Sequence, residues 1–167
     1  VQEIRRELHA GPHAPDPAPH INAIADHIRA VTFAIADGVY PSNEERGFVI
    51  RKLIRKSIER AFKVDPGCGL FLYNIVPSVV KAMKAAYPEL EARREMISQI
   101  VKAEEERFRN IILEIVPLLK EEFAAIKKGG STKVPGEIIF RYSDEKGGPF
   151  DFQQEIAREL GLNLDIE

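Results

Sequence analysis

The sequence is poor in cysteine, in net charge and in long apolar runs. Its one cysteine, Cys68, excludes an internal disulfide framework and a cysteine-rich zinc site, and fits a reducing cytoplasm. The formal net charge of −2 gives no overall basic field that would attract nucleic acid. No apolar run approaches the roughly 20 residues that span a bilayer, and no signal peptide is evident. We therefore expect a cytoplasmic protein without a membrane partner.

Motifs of enzyme chemistry are also missing. The sequence contains no GxxxxGK[ST] phosphate loop, no Glu-x-x-His and no His-Glu-x-x-His. His9 and His13 are four residues apart, but Gly11 and Pro12 interrupt any helix between them, so we expect no metal pair. Cys68 lies between two glycines without a placed base. An independent all-α enzyme is therefore disfavoured, and we expect neither catalytic nor metal-binding residues.

What is present is a strong helical pattern. Hydrophobic residues make up 44% and charged residues 30% of the 167 residues, which is enough to form a core. Apolar residues recur at spacings of three and four, the period of an amphipathic helix. The spacing predicts an all-α bundle of about five to seven helices, one of them long and kinked at Pro117. The main helices are expected over about 21–36, 44–62, 70–86, 88–126 and 152–160.

Proline and glycine divide the chain into three parts. Residues 1–9 are predicted as a short helix, and His9 to His20 contains four prolines, which is typical of a linker. The predicted parts are 1–20, a helical bundle over 21–130, and a C-terminal helical subdomain over 131–167. Val134 to Tyr142 is ambiguous, because Ile-Ile-Phe-Arg-Tyr alone also suits a strand.

The helix that follows Asn43 has the most unusual charge pattern. Its predicted apolar face comprises Val49, Ile50, Leu53, Ile54, Ile58 and Ala61, and the opposite face carries Arg46, Arg51, Lys52, Arg55, Lys56 and Arg60. Such rows of cations suit a phosphate backbone, whose neutralisation releases counterions. The alternative is a basic surface paired with an acidic helix such as Glu104–Glu106, which by itself is typical of a solvated face. Ser42 and Asn43 are both good candidates for the N-cap.

Residues 24–57 closely resemble the segment of alanyl-tRNA synthetases that follows their class II catalytic core. The family pattern is ADH-x-R, then F-x-x-x-DG, then P-x-N-x-x-RGYVLRR and a second basic pair. The matching segments here are Ala25–Arg29, Phe33 with Asp37-Gly38, Pro41–Lys52 and Arg55-Lys56. Further matches continue through Ala86–Leu90, Glu104–Phe108, Pro135–Glu137 and Gly147–Phe152, so the resemblance covers about residues 21–166.

The resemblance implies a helical region, including Val134–Tyr142, that binds the tRNA acceptor stem. It implies that Asn43 and Asp144 read a G·U wobble pair, while the arginines and lysines position the stem. At 143–149 the chain reads SDEKGGP where the family has YDTYGFP, and the match is confined to Asp144, Gly147 and Pro149. His27 is expected to pack between helices, with Asp26 and Arg29 in the same polar network.

The resemblance also implies which domains precede and follow this region. The class II motifs that bind ATP and activate alanine are expected before residue 20, and the editing domain after residue 167. ATP, Mg and alanine are therefore expected for an absent catalytic domain, which would be a partner of this chain, and no cofactor is expected within it. The expected nucleic-acid partner is tRNA and not DNA. The alternative is a diverged helical bundle that serves protein–protein contact, to which Lys52 and Lys56 point, because lysine lacks arginine's bidentate fork.

Overall fold

The helical pattern of the sequence is realised almost throughout. The computed structural model describes residues 1–9 and 16–166, and in them seven α-helices confirm the all-α prediction. The five helices of the N-terminal part are α1 Gln2–Glu7, α2 Pro17–Ala36, α3 Glu45–Val64, α4 Leu72–Met83 and α5 Glu89–Lys128. The last two are α6 Gly136–Phe140 and α7 Phe150–Glu159, and a π-helical turn over Arg141–Glu145 follows α6 directly.

Helix α2 begins earlier than the proline-rich sequence suggests. The predicted linker extends to His20, but α2 starts at Pro17; residues 10–15 lie outside the described residues. Proline is tolerated in the first turn, where its missing N–H would have no helical partner. The Asp16 side chain accepts a hydrogen bond from the N–H of Ala18 at 3.1 Å and so caps the N-terminus of α2. At the other end Gly38 takes the left-handed conformation that commonly ends a helix, with φ 86°.

Proline does not interrupt α4. The sequence predicts a kink or restart near Pro77, but the helix runs as one element from Leu72 to Met83. Pro77 removes one backbone hydrogen bond. Burial of Ile75, Val76 and Val80 on the same helix outweighs that loss. Helix α5 likewise continues through Pro117 to Lys128, two residues beyond its predicted end.

The chain forms two compact units, Val1–Arg107 and Phe108–Glu167, and α5 contributes residues to both. In the first unit, Ile50, Ile54, Ile58 and Ala61 of the predicted apolar face of α3 are buried, Leu53 is half-buried and Val49 is 53% exposed. That residue lies at the edge of the apolar face of α3, so its assignment to the core was wrong. Within the described ranges, no helix is long and apolar enough to cross a membrane.

The second unit contains a feature that periodicity did not predict. Strand β1, Lys133–Val134, pairs in parallel with β2, Asn163–Leu164, so Val134 is in a strand while the residues from Gly136 onward are helical as expected. Two-residue strands are too short to show alternation. The core beneath them consists of Ile115, Leu119, Phe123, Val134, Ile139, Tyr142, Ile156, Ala157 and Leu162.

Candidate nucleic-acid interface

The loop that carries Asn43 is held tightly against the first turn of α3. The N–H of Ser42 donates to the carbonyl oxygen of Gly47 at 3.1 Å, and the Ser42 hydroxyl accepts from the N–H of Glu44 at 3.3 Å. A Cβ on Gly47 would lie 2.5 Å from the carbonyl oxygen of Tyr40 and closer still to the Ser42 hydroxyl. Only glycine at position 47 therefore allows the loop to approach the helix this closely.

Asn43 is exposed at the tip of this loop and does not cap the helix. The residue at the N-cap is Glu44, and no side chain there bonds to the first turn, so the N-cap prediction for Ser42 and Asn43 was wrong. The Ser42 hydroxyl is used within the loop instead. The Asn43 side chain turns along α3, and its Oδ1 accepts a hydrogen bond from Nη1 of Arg51.

Arg51 and Arg55 point inward rather than toward solvent. Nε of Arg51 lies 3.2 Å and Nε of Arg55 lies 3.0 Å from Oε1 of Glu104 on α5. The side chain of Arg51 is 12% exposed and that of Glu104 is 4% exposed. Two arginines thus share one buried carboxylate, which matches the alternative expectation of a basic helix paired with an acidic one.

The other cations of α3 have different surroundings. Nζ of Lys56 lies 2.8 Å from Oε2 of Glu59, a residue that is itself buried. Burial lowers the pKa of both His20 and His27, and the charge of the half-buried Arg60 lowers it further. Arg46 and Lys52 are exposed, and neither has an ion-pair partner within the described part of the chain. The rows of cations predicted from the sequence are therefore reduced on the surface to a few exposed positions.

Glu104 belongs to this site, although the sequence offered it only in the alternative that pairs the basic helix with an acidic one. We expected Glu104–Glu106 to be a solvated face, which holds for Glu106 alone, since Glu104 is 5% and Glu105 1% exposed. The signal was present: Val101, Glu104, Glu105 and Phe108 follow the i, i+3, i+4, i+7 spacing of one helix face, and Val101 and Phe108 are buried. Two carboxylates on a core-facing stripe predict buried partners.

His27 has the structural role that was expected of it. Its Nδ1 lies 3.3 Å from the hydroxyl of Ser57, which joins α2 to α3. Burial lowers its pKa below the ordinary 6.5, and the charge of Arg60 lowers that pKa further, against the opposing effect of Asp26. Asp26 also pairs with Arg29 at 3.0 Å on the exposed surface. These surroundings therefore favour the neutral form of the histidine.

Asp144 lies in the second unit, exposed on the π-helical turn. The neighbouring positions are fixed, since Gly148 donates its N–H to the carbonyl oxygen of Tyr142 at 2.8 Å. A Cβ on Gly148 would lie 3.0 Å from Cγ2 of Ile115. Nε2 of the fully buried Gln153 donates to the hydroxyl of Ser143 at 2.7 Å. The turn therefore presents Asp144 on a rigid base despite its departures from the family pattern.

A hydrogen-bonded pair supports the same turn. The Tyr142 hydroxyl donates to Oε2 of Glu122 at 2.8 Å, and Arg141 pairs with the other carboxylate oxygen. Burial and the hydrogen bond to Glu122 raise the pKa of Tyr142 to about 12. Burial alone would raise the pKa of Glu122, but the hydrogen bonds from Tyr142 and Arg141 outweigh it and lower that pKa.

No catalytic constellation accompanies these residues. Cys68 is 3% exposed in its loop, and in residues 1–9 and 16–166 no group of three or more His, Cys, Asp or Glu side chains could hold a metal ion. The surface around Asn43 carries apolar side chains instead, with Tyr40 51%, Phe48 50% and Val49 53% exposed. The arrangement is suited to recognition by hydrogen bonding, charge and apolar contact.

Comparison with known proteins identifies similar sequences. The family model described as tRNA synthetases class II (A) matches residues 6–167. The alanine–tRNA ligase of Geobacillus thermodenitrificans is 42% identical over 142 residues, which are 85% of this chain and 16% of that protein. The corresponding proteins of Ligilactobacillus salivarius and Pseudomonas fluorescens are 43% and 42% identical over 144 and 147 residues. The chain spans about 16% of the length of these curated relatives.

Proposed function

The chain belongs to the class II (A) tRNA synthetase family, and from this premise we propose that it recognises the G·U-containing acceptor stem of alanine tRNA. The observation that carries the proposal is the presentation of Asn43. This exposed amide is fixed by a glycine-dependent loop on one side and by a half-buried arginine on the other. A polar side chain held this firmly at a surface is suited to reading a base edge.

The chemistry of a wobble pair fits the two exposed polar residues. A G·U pair leaves the guanine amino group without a base partner in the minor groove, where an oxygen can accept from it. A carboxylate does so more strongly than an amide, because the hydrogen bond is then charge-assisted. An asparagine can also donate to a base carbonyl. Asn43 and Asp144 together supply these capacities, and a G·C pair presents a different pattern. The deep, narrow major groove of A-form RNA makes readout from the minor groove or near a helix end reasonable.

Affinity in this proposal comes from cations that contact phosphate. Arg46 and Lys52 are exposed on α3, and the side chain of Arg107 is 63% exposed with its Nη1 3.8 Å from Glu104. Lys56 and Arg60 flank the same helix surface. Contacts of this type position the stem without reading its sequence, and their strength falls as salt rises.

The parent protein in this proposal is an alanine–tRNA ligase that acts in the cytoplasm. Its catalytic domain, which this chain does not contain, would bind ATP, Mg²⁺ and alanine and would join alanine to the tRNA held here. The chain itself contributes recognition and no catalytic residue. The same catalytic domain is the second proposed partner.

The test is binding to two acceptor-stem hairpins that differ in one pair, G·U against G·C, across a salt series. The wild-type chain is expected to prefer G·U, and Asn43→Ala and Asp144→Asn are each expected to lose about 1–3 kcal/mol of that preference. Asn74→Ala on α4 and Glu145→Gln next to Asp144 change other exposed amide and carboxylate side chains and should keep the preference. Equal binding of wild type to both hairpins would contradict readout of the pair.

The exposed apolar side chains near Asn43 favour a second candidate, a protein–protein contact. Tyr40, Phe48 and Val49 are each at least half exposed, which is the composition of an interface centre rather than of a phosphate contact. If no hairpin binds at low salt, this function takes precedence. A matching surface would then be sought by cross-linking the chain to the separately expressed catalytic domain.

A further inference from the structure

We infer that Arg51 and Glu104 are positioning residues that fix the amide of Asn43 so that its NH₂ group is presented to the ligand. This inference rests on the proposed function and adds two residues to it. It reassigns Arg51, which the sequence had placed among the phosphate contacts. The geometry behind it lies entirely within the first unit, on α3, α5 and the loop before α3.

The orientation of the Asn43 amide follows from the chemistry of its neighbour. An arginine guanidinium has five N–H donors and no acceptor. The atom of Asn43 that meets Nη1 of Arg51 must therefore be the oxygen, because the NH₂ group cannot accept from it. The two N–H donors of Asn43 then remain for a ligand, and within the described part of the chain they have no hydrogen-bond partner.

Arg51 can hold this orientation because it is itself held. Its side chain is 12% exposed, and its Nε lies 3.2 Å from a carboxylate oxygen of Glu104, which is 4% exposed. Burying that carboxylate is costly unless it is paired, and Arg55 at 3.0 Å provides the second partner. The contact of Arg51 with Glu104 is an ion pair without hydrogen-bond geometry, since the buried Nε has no hydrogen-bond partner among the described residues. It places the planar guanidinium between Glu104 and Asn43.

The arrangement has a consequence for specificity. A presented NH₂ group favours a base acceptor, such as a carbonyl oxygen, and opposes a second donor. A freely rotating Asn43 could present either its oxygen or its NH₂ group and would distinguish bases less well. The Glu104–Arg51–Asn43 chain of contacts thus converts an ambiguous side chain into a donor of defined direction.

The first test uses the 167-residue chain without RNA. The ¹⁵N{¹H} heteronuclear NOE of the Asn43 side-chain amide is expected to be higher than that of exposed Asn74, and to fall in Arg51→Met. Glu104→Gln should act in the same direction, while Lys52→Met, an exposed cation on the same helix, should leave the value unchanged. Circular dichroism establishes that each variant is folded. An Asn43 amide as mobile as that of Asn74 in wild type, or unaffected by Arg51→Met, would overturn the inference.

The second test separates positioning from phosphate contact. Arg51→Met is expected to reduce the ratio of G·U to G·C affinity about tenfold with little change in salt dependence. Lys52→Met should weaken both complexes equally and reduce the salt slope by about one. Arg51→Lys is decisive, since it keeps the charge but lacks the planar fork. Lost selectivity in Arg51→Lys supports positioning, whereas normal selectivity with normal affinity refutes it.

Failure of the proposed function would be recognised separately. If wild type binds both hairpins equally, the readout proposal fails, and the NOE measurement still decides whether Arg51 fixes Asn43. If wild type discriminates but Arg51→Met and Arg51→Lys discriminate equally well, the readout proposal stands and the positioning inference fails.

Discussion

The buried carboxylate of Glu105 accepts a hydrogen bond from the backbone N–H of Leu72 at 2.9 Å, which makes it the cap of a helix 33 residues away in sequence. The same carboxylate accepts from the N–H groups of Phe71 at 2.8 Å and Tyr73 at 3.3 Å. Phe71 occupies the N-cap of α4 and has no side-chain oxygen to offer. A carboxylate from α5 therefore satisfies the N–H groups that a local Ser or Asp would normally bind.

Glu105→Gln is expected to destabilise the chain by about 1–3 kcal/mol. The amide keeps the shape of the side chain but loses the charge that interacts with three N–H donors and with the positive end of the helix dipole. Urea unfolding followed by circular dichroism measures the effect. Glu106→Gln, at the exposed neighbouring position, should stay within about 0.5 kcal/mol of wild type. Equal effects of the two substitutions would mean that the cap contributes nothing.

Gly47→Ala is expected to destabilise the chain and to weaken selectivity for G·U. Alanine is intrinsically better in a helix by about 1 kcal/mol. The added Cβ, however, would lie 2.5 Å from the carbonyl oxygen of Tyr40, and moving that backbone typically costs about 1–3 kcal/mol. The cost of the clash therefore exceeds the gain in helix propensity, and the loop that carries Asn43 must shift.

Thermal unfolding and the hairpin affinity ratio measure the two effects of Gly47→Ala. Gly69→Ala is the control, since a Cβ at position 69 meets no atom within 4 Å. A Gly47→Ala chain as stable and as selective as wild type would show that the loop does not depend on its contact with α3.

The sequence predicted the elements of the fold better than the directions of its charged side chains. Helical periodicity located α2, α3 and α5 because each buries a continuous apolar stripe. It could not reveal that Arg51 and Arg55 turn inward, because that depends on Glu104, 49 residues beyond Arg55 on another helix. The spacing around Glu104 indicates that this carboxylate needs a buried partner, but local spacing does not show which cation on another helix supplies it.

Short elements that show no helical or strand periodicity could not be predicted from the sequence either. The parallel pairing of Lys133 with Asn163 joins two-residue strands, and the π-helical turn over Arg141–Glu145 depends on packing of Tyr142 in the core of its unit. The candidate readers Asn43 and Asp144 came from the family resemblance, since an exposed polar residue in a loop carries no periodic signal of its own.

The stability of the chain is expected to fall between pH 10 and pH 12 because of Tyr142. The pKa of this phenol is about 12 in the folded chain, against an ordinary value of 10.0. Between these values the unfolded chain loses the proton while the folded chain keeps it, so unfolding becomes easier as pH rises. The contribution is fully present below pH 10 and is lost as pH passes through the folded pKa.

Absorbance at 295 nm and urea midpoints measured from pH 9 to pH 12 test the role of Tyr142. Tyr142→Phe should remove the transition near pH 12 and, by removing the hydrogen bond to Glu122, destabilise the chain at neutral pH by about 1 kcal/mol. Tyr40→Phe, at a position 51% exposed, should keep the transition. A transition that survives Tyr142→Phe belongs to another group.

Gln153→Leu is expected to weaken G·U selectivity while leaving most of the stability intact. Nε2 of Gln153 donates to the hydroxyl of Ser143 at 2.7 Å and to the carbonyl oxygen of Ile139 at 3.2 Å, and so ties α7 to the turn that carries Asp144. Its Oε1 is buried and has no hydrogen-bond partner among the described residues, so leucine also removes one unfavourable group. The lost hydrogen bonds and the removed unpaired oxygen partly cancel, and we expect the free energy of unfolding to fall by about 1 kcal/mol or less.

The effect of Gln153→Leu on G·U selectivity is not compensated in this way. Nothing replaces the hydrogen bond to Ser143, the residue directly before Asp144. The ratio of G·U to G·C hairpin affinities is expected to fall toward the value of Asp144→Asn. Gln154→Leu changes the exposed neighbour on the same helix and should leave the ratio unchanged. If Gln153→Leu remains as selective as wild type while Asp144→Asn does not, the π-helical turn holds Asp144 without Gln153, and the contacts of Tyr142 and Gly148 are sufficient to fix it.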